Sequence, residues 1–390
     1  MKRPIALGAA LVVLLAAVYT WIVYVEPKLS LFEPSKVATN FRQMERIFPT
    51  VAIPASSRPR PLSETPSIPV AELTEGLPAF LGRSRTTSLL VLHKGRLIHE
   101  SYYEGYDAQS QATSFSVAKA FVSTLIGVAL AEGAIASLDD PVLTYRPDLA
   151  TSGFAGATLR DLLQMSSGIA FSEVYDDPTT DAFTIYDRMY AEFADIDQVA
   201  ASFGSAQPAG ANFHYASINT HALVMVLEAA TGKSLAAYLH EKLWEPLGAV
   251  SDASWITDVR GGEVGFWGFN ARPRDFARLG QLYLQDGVWD GAQLITREWV
   301  ESSTRAERDD LQRGRIAGDW GYQHHWWLPR GEYDDFSAIG IWGQFIYVNR
   351  DLNLVVVKTS ADPDFKAHEF EAIEYFRRIG EHLAADGRAR

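Results

Sequence analysis

Hydrophobic and polar positions divide the chain into unlike stretches. Residues 4–25 form an uncharged run, preceded by Lys2 and Arg3 and followed by Glu26-Pro27-Lys28. As a helix this run is long enough to cross a hydrocarbon core of about 30 Å, and the basic residues ahead of it orient the rest of the chain outward. Its length predicts an uncleaved anchor in the cell membrane, with the remainder exported; Ala16-Ala17 keeps open a cleaved signal segment and secretion. Residues 26–85 are broken by proline and serine, as in Ile53-Pro54-Ala55-Ser56-Ser57-Arg58-Pro59. That pattern predicts an extended arm or linker with one short helix around residues 41–47.

Regular patterning begins near residue 86, and 86–390 reads as one domain. Residues 88–93, a Lys94-Gly95 turn and residues 96–103 predict a hairpin. The apolar run 120–130 predicts a buried helix ending at Glu132-Gly133. Residues 137 to about 245 look mainly helical, with an acidic, aromatic loop over 171–190 and a helix over 222–230 closed by Thr231-Gly232. A further helix is predicted over 274–284. Residues 337–348 and 352–359 are strand-like, joined by Asn349-Arg350-Asp351. Phe370, Ile373, Phe376 and Ile379 recur at helical spacing in a last helix over 365–385. Strands at both ends with helices between them predict an α/β (α+β) fold, an antiparallel sheet flanked by N- and C-terminal helices with an inserted helical region.

Composition narrows the function classes. An apolar fraction of 47% sustains a sizeable core. A net charge of −13, with no basic run beyond residue 3, argues against a nucleic-acid partner. The absence of cysteine removes thiol catalysis, disulfides and cysteine-bound metals. His324 and His325 are adjacent and so point apart, and no His-Glu-x-x-His occurs; no metal or cofactor is predicted. Thr231-Gly232-Lys233-Ser234 imitates a phosphate loop, but Leu227 stands where its first glycine belongs.

The candidate chemistry lies at Ser116-Val117-Ala118-Lys119, just ahead of the buried helix. Residues i and i+3 share a helix face, so hydroxyl and amine are neighbours, and of nine lysines only Lys119 has a serine three positions before it. Burial and the positive end of the helix both disfavour the ammonium, which makes Lys119 a candidate base for the Ser116 hydroxyl. The Ser116 N–H at the helix start is a candidate oxyanion donor. A serine cap with a snorkelling lysine explains the same pair without chemistry.

Further segments decide between these readings. Ser-x-x-Lys opens the serine β-lactamase and penicillin-binding protein pattern. Residues 159–169, ending Met165-Ser166-Ser167-Gly168-Ile169, resemble the Leu-Leu-x-x-x-Ser-Gly segment of class C-like hydrolases. Tyr215-Ala216-Ser217, Gly268-Phe269-Asn270-Ala271 and Ala338-Ile339-Gly340-Ile341-Trp342-Gly343-Gln344 follow in order, and over residues 40–385 the set resembles the branch of 6-aminohexanoate-dimer hydrolases and related esterases. That resemblance implies Ser116 as nucleophile, Lys119 as base, Tyr215 as proton relay, and the N–H groups of Ser116 and Ile341 as oxyanion hole. It also implies substrate contacts from Tyr175, Ser217, Asn270, Gly340 and Trp342. The third β-lactamase motif, Lys-Thr-Gly, is Ala338-Ile339-Gly340 here, and Lys358-Thr359-Ser360 reads as structural. Without that cation, a penicillin carboxylate loses a contact worth about 1.5–3 kcal/mol. The expected activity is hydrolysis of a small amide or ester through an acyl-enzyme. The alternatives are a penicillin-binding carboxypeptidase or β-lactamase, and a non-catalytic ligand-binding envelope protein.

Overall fold

The computed structural model describes residues 26–386, so the expected anchor or signal segment at 4–25 lies outside the described residues. Among the described residues, no single helix is long and apolar enough to cross a membrane. In chain order the strands are β1 (Thr50–Ile53), β2 (Thr86–His93), β3 (Arg96–Tyr102), β4 (Ala112–Thr113), β5 (Ala253–Ile256), β6 (Phe269–Ala271), β7 (Val288–Trp289), β8 (Ala292–Gln293), β9 (Trp320–Gln323), β10 (Trp326–Pro329), β11 (Asp335–Gly340), β12 (Gln344–Asn349) and β13 (Leu354–Ser360). The helices that bear on the site are α1 (Val37–Phe41), α2 (Leu77–Arg83), α3 (Ala118–Ala131), α4 (Asp181–Tyr190), α5 (Ile218–Thr231), α6 (Pro273–Leu284) and α7 (Phe365–Asp386).

Period-two alternation builds the main sheet. Leu354 and Val356 of β13 point to one face, Val355 and Val357 to the other, and Leu89/Val91 and Leu90/Leu92 of β2 divide in the same way. Both faces are therefore apolar and both are covered. α2 and α7 lie over one, through Phe80, Ile373 and Phe376; α6 lies over the other, close enough that a Cβ on Gly280 would stand 2.6 Å from Val355. The resulting seven-stranded antiparallel sheet has the order β3-β2-β13-β12-β11-β10-β9. The mainly helical region is inserted between β4 and β5, as the patterning predicts.

A second sheet, ordered β1-β5-β6-β4, corrects the reading of residues 26–85. That stretch is not a free-standing arm. Apolar residues are interspersed among its prolines, and Leu31, Val37, Phe41, Met44, Phe48 and Ile53 are buried in the main core. Its strand β1 pairs antiparallel with β5. Two further differences concern the site. Residues 181–190, expected in a loop, form α4, because Ile185 and Met189 sit one turn apart and both are buried. The strand-like run 337–348 is two strands, β11 and β12, separated by a tight turn at Ile341-Trp342-Gly343 in which Trp342 and Gly343 have φ of +64° and +82°.

Candidate active site

The small sheet leads directly into Ser116. Thr113 of β4 pairs with Asn270 of β6, and Ser114 N donates to Phe269 O at 2.9 Å. Phe115 then turns the chain into a 3-10 turn over Phe115–Val117 that runs on into α3. Ser116 thus lies in the turn ahead of the α-helix rather than on its first α-helical residue, and the i, i+3 neighbourhood survives. Lys119 is 1% exposed, with Nζ 2.7 Å from Ser116 Oγ and donating at 3.1 Å to Phe266 O. Burial lowers its pKa to about 8, against the opposing pull of the Glu173 carboxylate. A serine cap with an exposed lysine would show none of this.

Tyr215 leads into α5 and packs against Trp327 with ring centroids 5.5 Å apart. The Lys119 amine lies over its ring at 5.1 Å. Burial, and then the Glu173 charge, push the Tyr215 phenol well above its ordinary range, while the Ser116 hydroxyl facing it pulls the other way. The phenol is therefore held as a neutral proton donor. Behind it, His325 is bonded to Thr220 Oγ1 (3.1 Å) and Tyr322 OH (3.2 Å), and burial followed by the Lys119 charge keeps it uncharged.

β11 runs directly past Ser116. A Cβ on Gly340 would stand 2.5 Å from Ser114 O and 3.1 Å from Ser116 N, so glycine is required for this approach. Ile341 follows and lines the space around Ser116. Gln344 Nε2 braces the turn through Trp342 O (3.1 Å) and Ser360 O (2.8 Å).

Ser116 opens onto two spaces. One is a recess of about 30 Å³, room for roughly one water, whose lining includes Glu173, Tyr175, Ser217 and Ile341. The other is a cleft of about 490 Å³, bounded by Tyr175, Tyr215, Trp320, Trp327, Gly340, Ile341, Lys366 and Glu369 among others. Of the residues picked out in the sequence, Ser116, Lys119, Tyr215, Ser217, Tyr175, Gly340 and Ile341 are thus brought together. Asn270 and Trp342 line neither space. The Asn270 amide donates to Ser254 Oγ (3.2 Å) and Gly268 O (3.0 Å) inside the small sheet, and Trp342 packs on Phe32 and Phe41.

Sequence reasoning missed Glu173. Its carboxylate accepts from Ser217 N (2.5 Å), Ser217 Oγ (2.6 Å) and the Tyr175 hydroxyl, tying the loop after Ser-Gly to the start of α5. Lys366 and Glu369, one turn apart on α7, were also missed. Lys366 pairs with Asp176 at 3.0 Å, and burial raises Glu369 to about 7. Lys358 takes no part: it is buried on β13, its amine bonded to Ser360 Oγ and its pKa lowered by burial to about 7.

The Beta-lactamase family model matches residues 73–375. A 6-aminohexanoate-dimer hydrolase of Paenarthrobacter ureafaciens is 29% identical over 341 residues, 83% of this chain and 85% of the relative. A Bacillus anthracis structure, provisionally described as a 6-aminohexanoate-dimer hydrolase, superposes with a TM-score of 0.82 at 23% identity, over 91% of this chain and 96% of the other. A family VIII carboxylesterase shares the fold at a TM-score of 0.61 and 17% identity, over 81% and 99% of the two chains. With the family model covering well over half its length, the chain belongs to the Beta-lactamase family.

Proposed function

We propose that the protein is a serine hydrolase that cleaves amide or ester bonds through an acyl-enzyme on Ser116. The observation that carries this reading is the buried Lys119 amine 2.7 Å from the Ser116 hydroxyl, at the head of a cleft. With its pKa lowered to about 8, Lys119 is neutral often enough at mildly alkaline pH to take the Ser116 proton. The Oγ lone pair then attacks the carbonyl carbon, and the C=O electron pair moves to an oxyanion facing the N–H groups of Ser116 and Ile341. Tyr215 donates its proton to the leaving amine or alcohol and recovers one from the Lys119 ammonium. The carbon–heteroatom bond breaks and Ser116 is left acylated. Water then enters, loses a proton to the same relay and bonds to the acyl carbon; the Ser116 Oγ–C bond breaks, Oγ takes the proton back from the relay, and the acid leaves.

The relative's 6-aminohexanoate-dimer hydrolase activity supports a short linear amide as substrate, and the carboxylesterase fold supports an ester. The third β-lactamase motif supplies no cation here, which weighs against a penicillin. Residues 4–25 support an exported, membrane-tethered enzyme. The test is hydrolysis of 6-aminohexanoate dimer and of p-nitrophenyl esters, with nitrocefin beside them. Turnover of a dimer or ester that Ser116→Ala loses supports the reading, and turnover that survives Ser116→Ala contradicts it.

A further inference from the structure

Two residues flanking the proposed oxyanion donors have backbone conformations that aromatic residues seldom adopt. Phe115, directly before Ser116, has φ of +43°, and Trp342, directly after Ile341, has φ of +64°. Left-handed non-glycine residues persist only where the surroundings hold them. Phe41 of α1 is 2% exposed and meets both. Its ring lies edge-on to Phe115 at 4.9 Å and to Trp342 at 5.5 Å. Phe32 adds a parallel stack on Trp342 at 5.3 Å. Asn40 Nδ2 donates to Ser30 O (2.9 Å) and Leu31 O (3.1 Å), fixing the segment that carries Phe32 to the helix that carries Phe41.

The backbone angles of Phe115 orient the peptide whose N–H belongs to Ser116. Those of Trp342 steer the chain out of β11, past Ile341 and into β12. The two segments are in backbone contact at Gly340, so the spacing of the two donors depends on whatever wedges their flanks. From this placement we infer that Phe41 is a positioning residue that holds the two halves of the oxyanion hole in register. It acts from the N-terminal segment, outside every catalytic motif, and the inference rests on the oxyanion assignment proposed above.

The test compares an ester with its thionoester on the full chain. Sulfur is larger and accepts hydrogen bonds poorly, so a preorganised oxyanion hole gives a high ester-to-thionoester ratio in kcat/KM. Phe41→Ala is expected to lower that ratio on the order of tenfold, with the loss in kcat rather than KM. Leu383→Ala, on the opposite face of the main sheet, serves as a control that loses stability but keeps the ratio. If Phe41→Ala is too unstable to purify, Phe41→Leu replaces it and is expected to lie between the two. An unchanged ratio in the Phe41 variants overturns the clamp. A wild-type enzyme that hydrolyses both substrates equally overturns the oxyanion assignment beneath it, and a wild type that turns over neither overturns the hydrolase reading itself.

Discussion

Gly340→Ala is a direct probe of how the site is assembled. The added methyl would stand 2.5 Å from Ser114 O and 3.1 Å from Ser116 N, where ordinary contact begins at 3.4 Å. Both neighbours are backbone, so neither can rotate aside. The nucleophile turn and β11 must then separate by roughly 1 Å, a displacement that costs about 10²-fold when it falls on reacting groups. Losing one oxyanion donor costs about 10²–10³ in kcat, so both routes give the same expectation. Overpacking adds about 1–3 kcal/mol of destabilisation. The assay is kcat on a p-nitrophenyl ester beside denaturant unfolding of the same sample. Gly380→Ala is the comparison, because its methyl would press on the Leu352 side chain at 2.7 Å from the distal part of α7. It is expected to lose stability and keep kcat. A Gly340→Ala enzyme with wild-type kcat would refute the close approach of β11 to the nucleophile.

Four further outcomes follow from charged groups. The acid limb of kcat/KM should rise through a pH of about 8, where Lys119 becomes neutral, and Lys119→Met should abolish it. For stability, the Lys119 pKa falls from 10.5 unfolded to about 8 folded, so between those values the unfolded chain binds more protons and stability rises with pH, by on the order of 3 kcal/mol. Unfolding of wild type and Lys119→Met across that range should differ in slope accordingly. Glu173→Gln should move the acid limb to lower pH, because the lost carboxylate supported the ammonium; a limb that stays or moves up contradicts this. Asp335→Ala should lower the unfolding free energy by about 1–3 kcal/mol, since its buried carboxylate accepts from the half-buried Arg377 and Arg313 and from the Tyr347 hydroxyl, while the folded fraction keeps its kcat.

What the sequence revealed and what it hid follow from the range of each interaction. Ser116 and Lys119 are legible because three residues make one helical turn, and Gly340-Ile341 because the strand carries a recognisable motif. Glu173 is hidden: its partner Ser217 is 44 residues away, and a loop carboxylate has no periodicity to expose it. The Phe266 carbonyl that accepts from Lys119 is equally hidden, since any residue can supply a carbonyl. Asn270 illustrates the reverse limit, a motif residue whose amide donates within its own small sheet. The N-terminal stretch misled by composition. Its prolines and serines read as a linker, yet Phe41 and Phe48, seven residues apart, are both buried. The turn at 341–343 was hidden because Ile341 and Trp342 continue the strand pattern into it, and the break shows in the φ of +64° at Trp342 and +82° at Gly343.

The most direct test of the central claim is covalent. Incubation with a fluorophosphonate, followed by intact-mass measurement and peptide mapping, should give one adduct, on Ser116, slowed in Lys119→Met and absent in Ser116→Ala. An adduct on another residue, or equal labelling of Ser116→Ala and wild type, would contradict the assignment of Ser116 as the nucleophile.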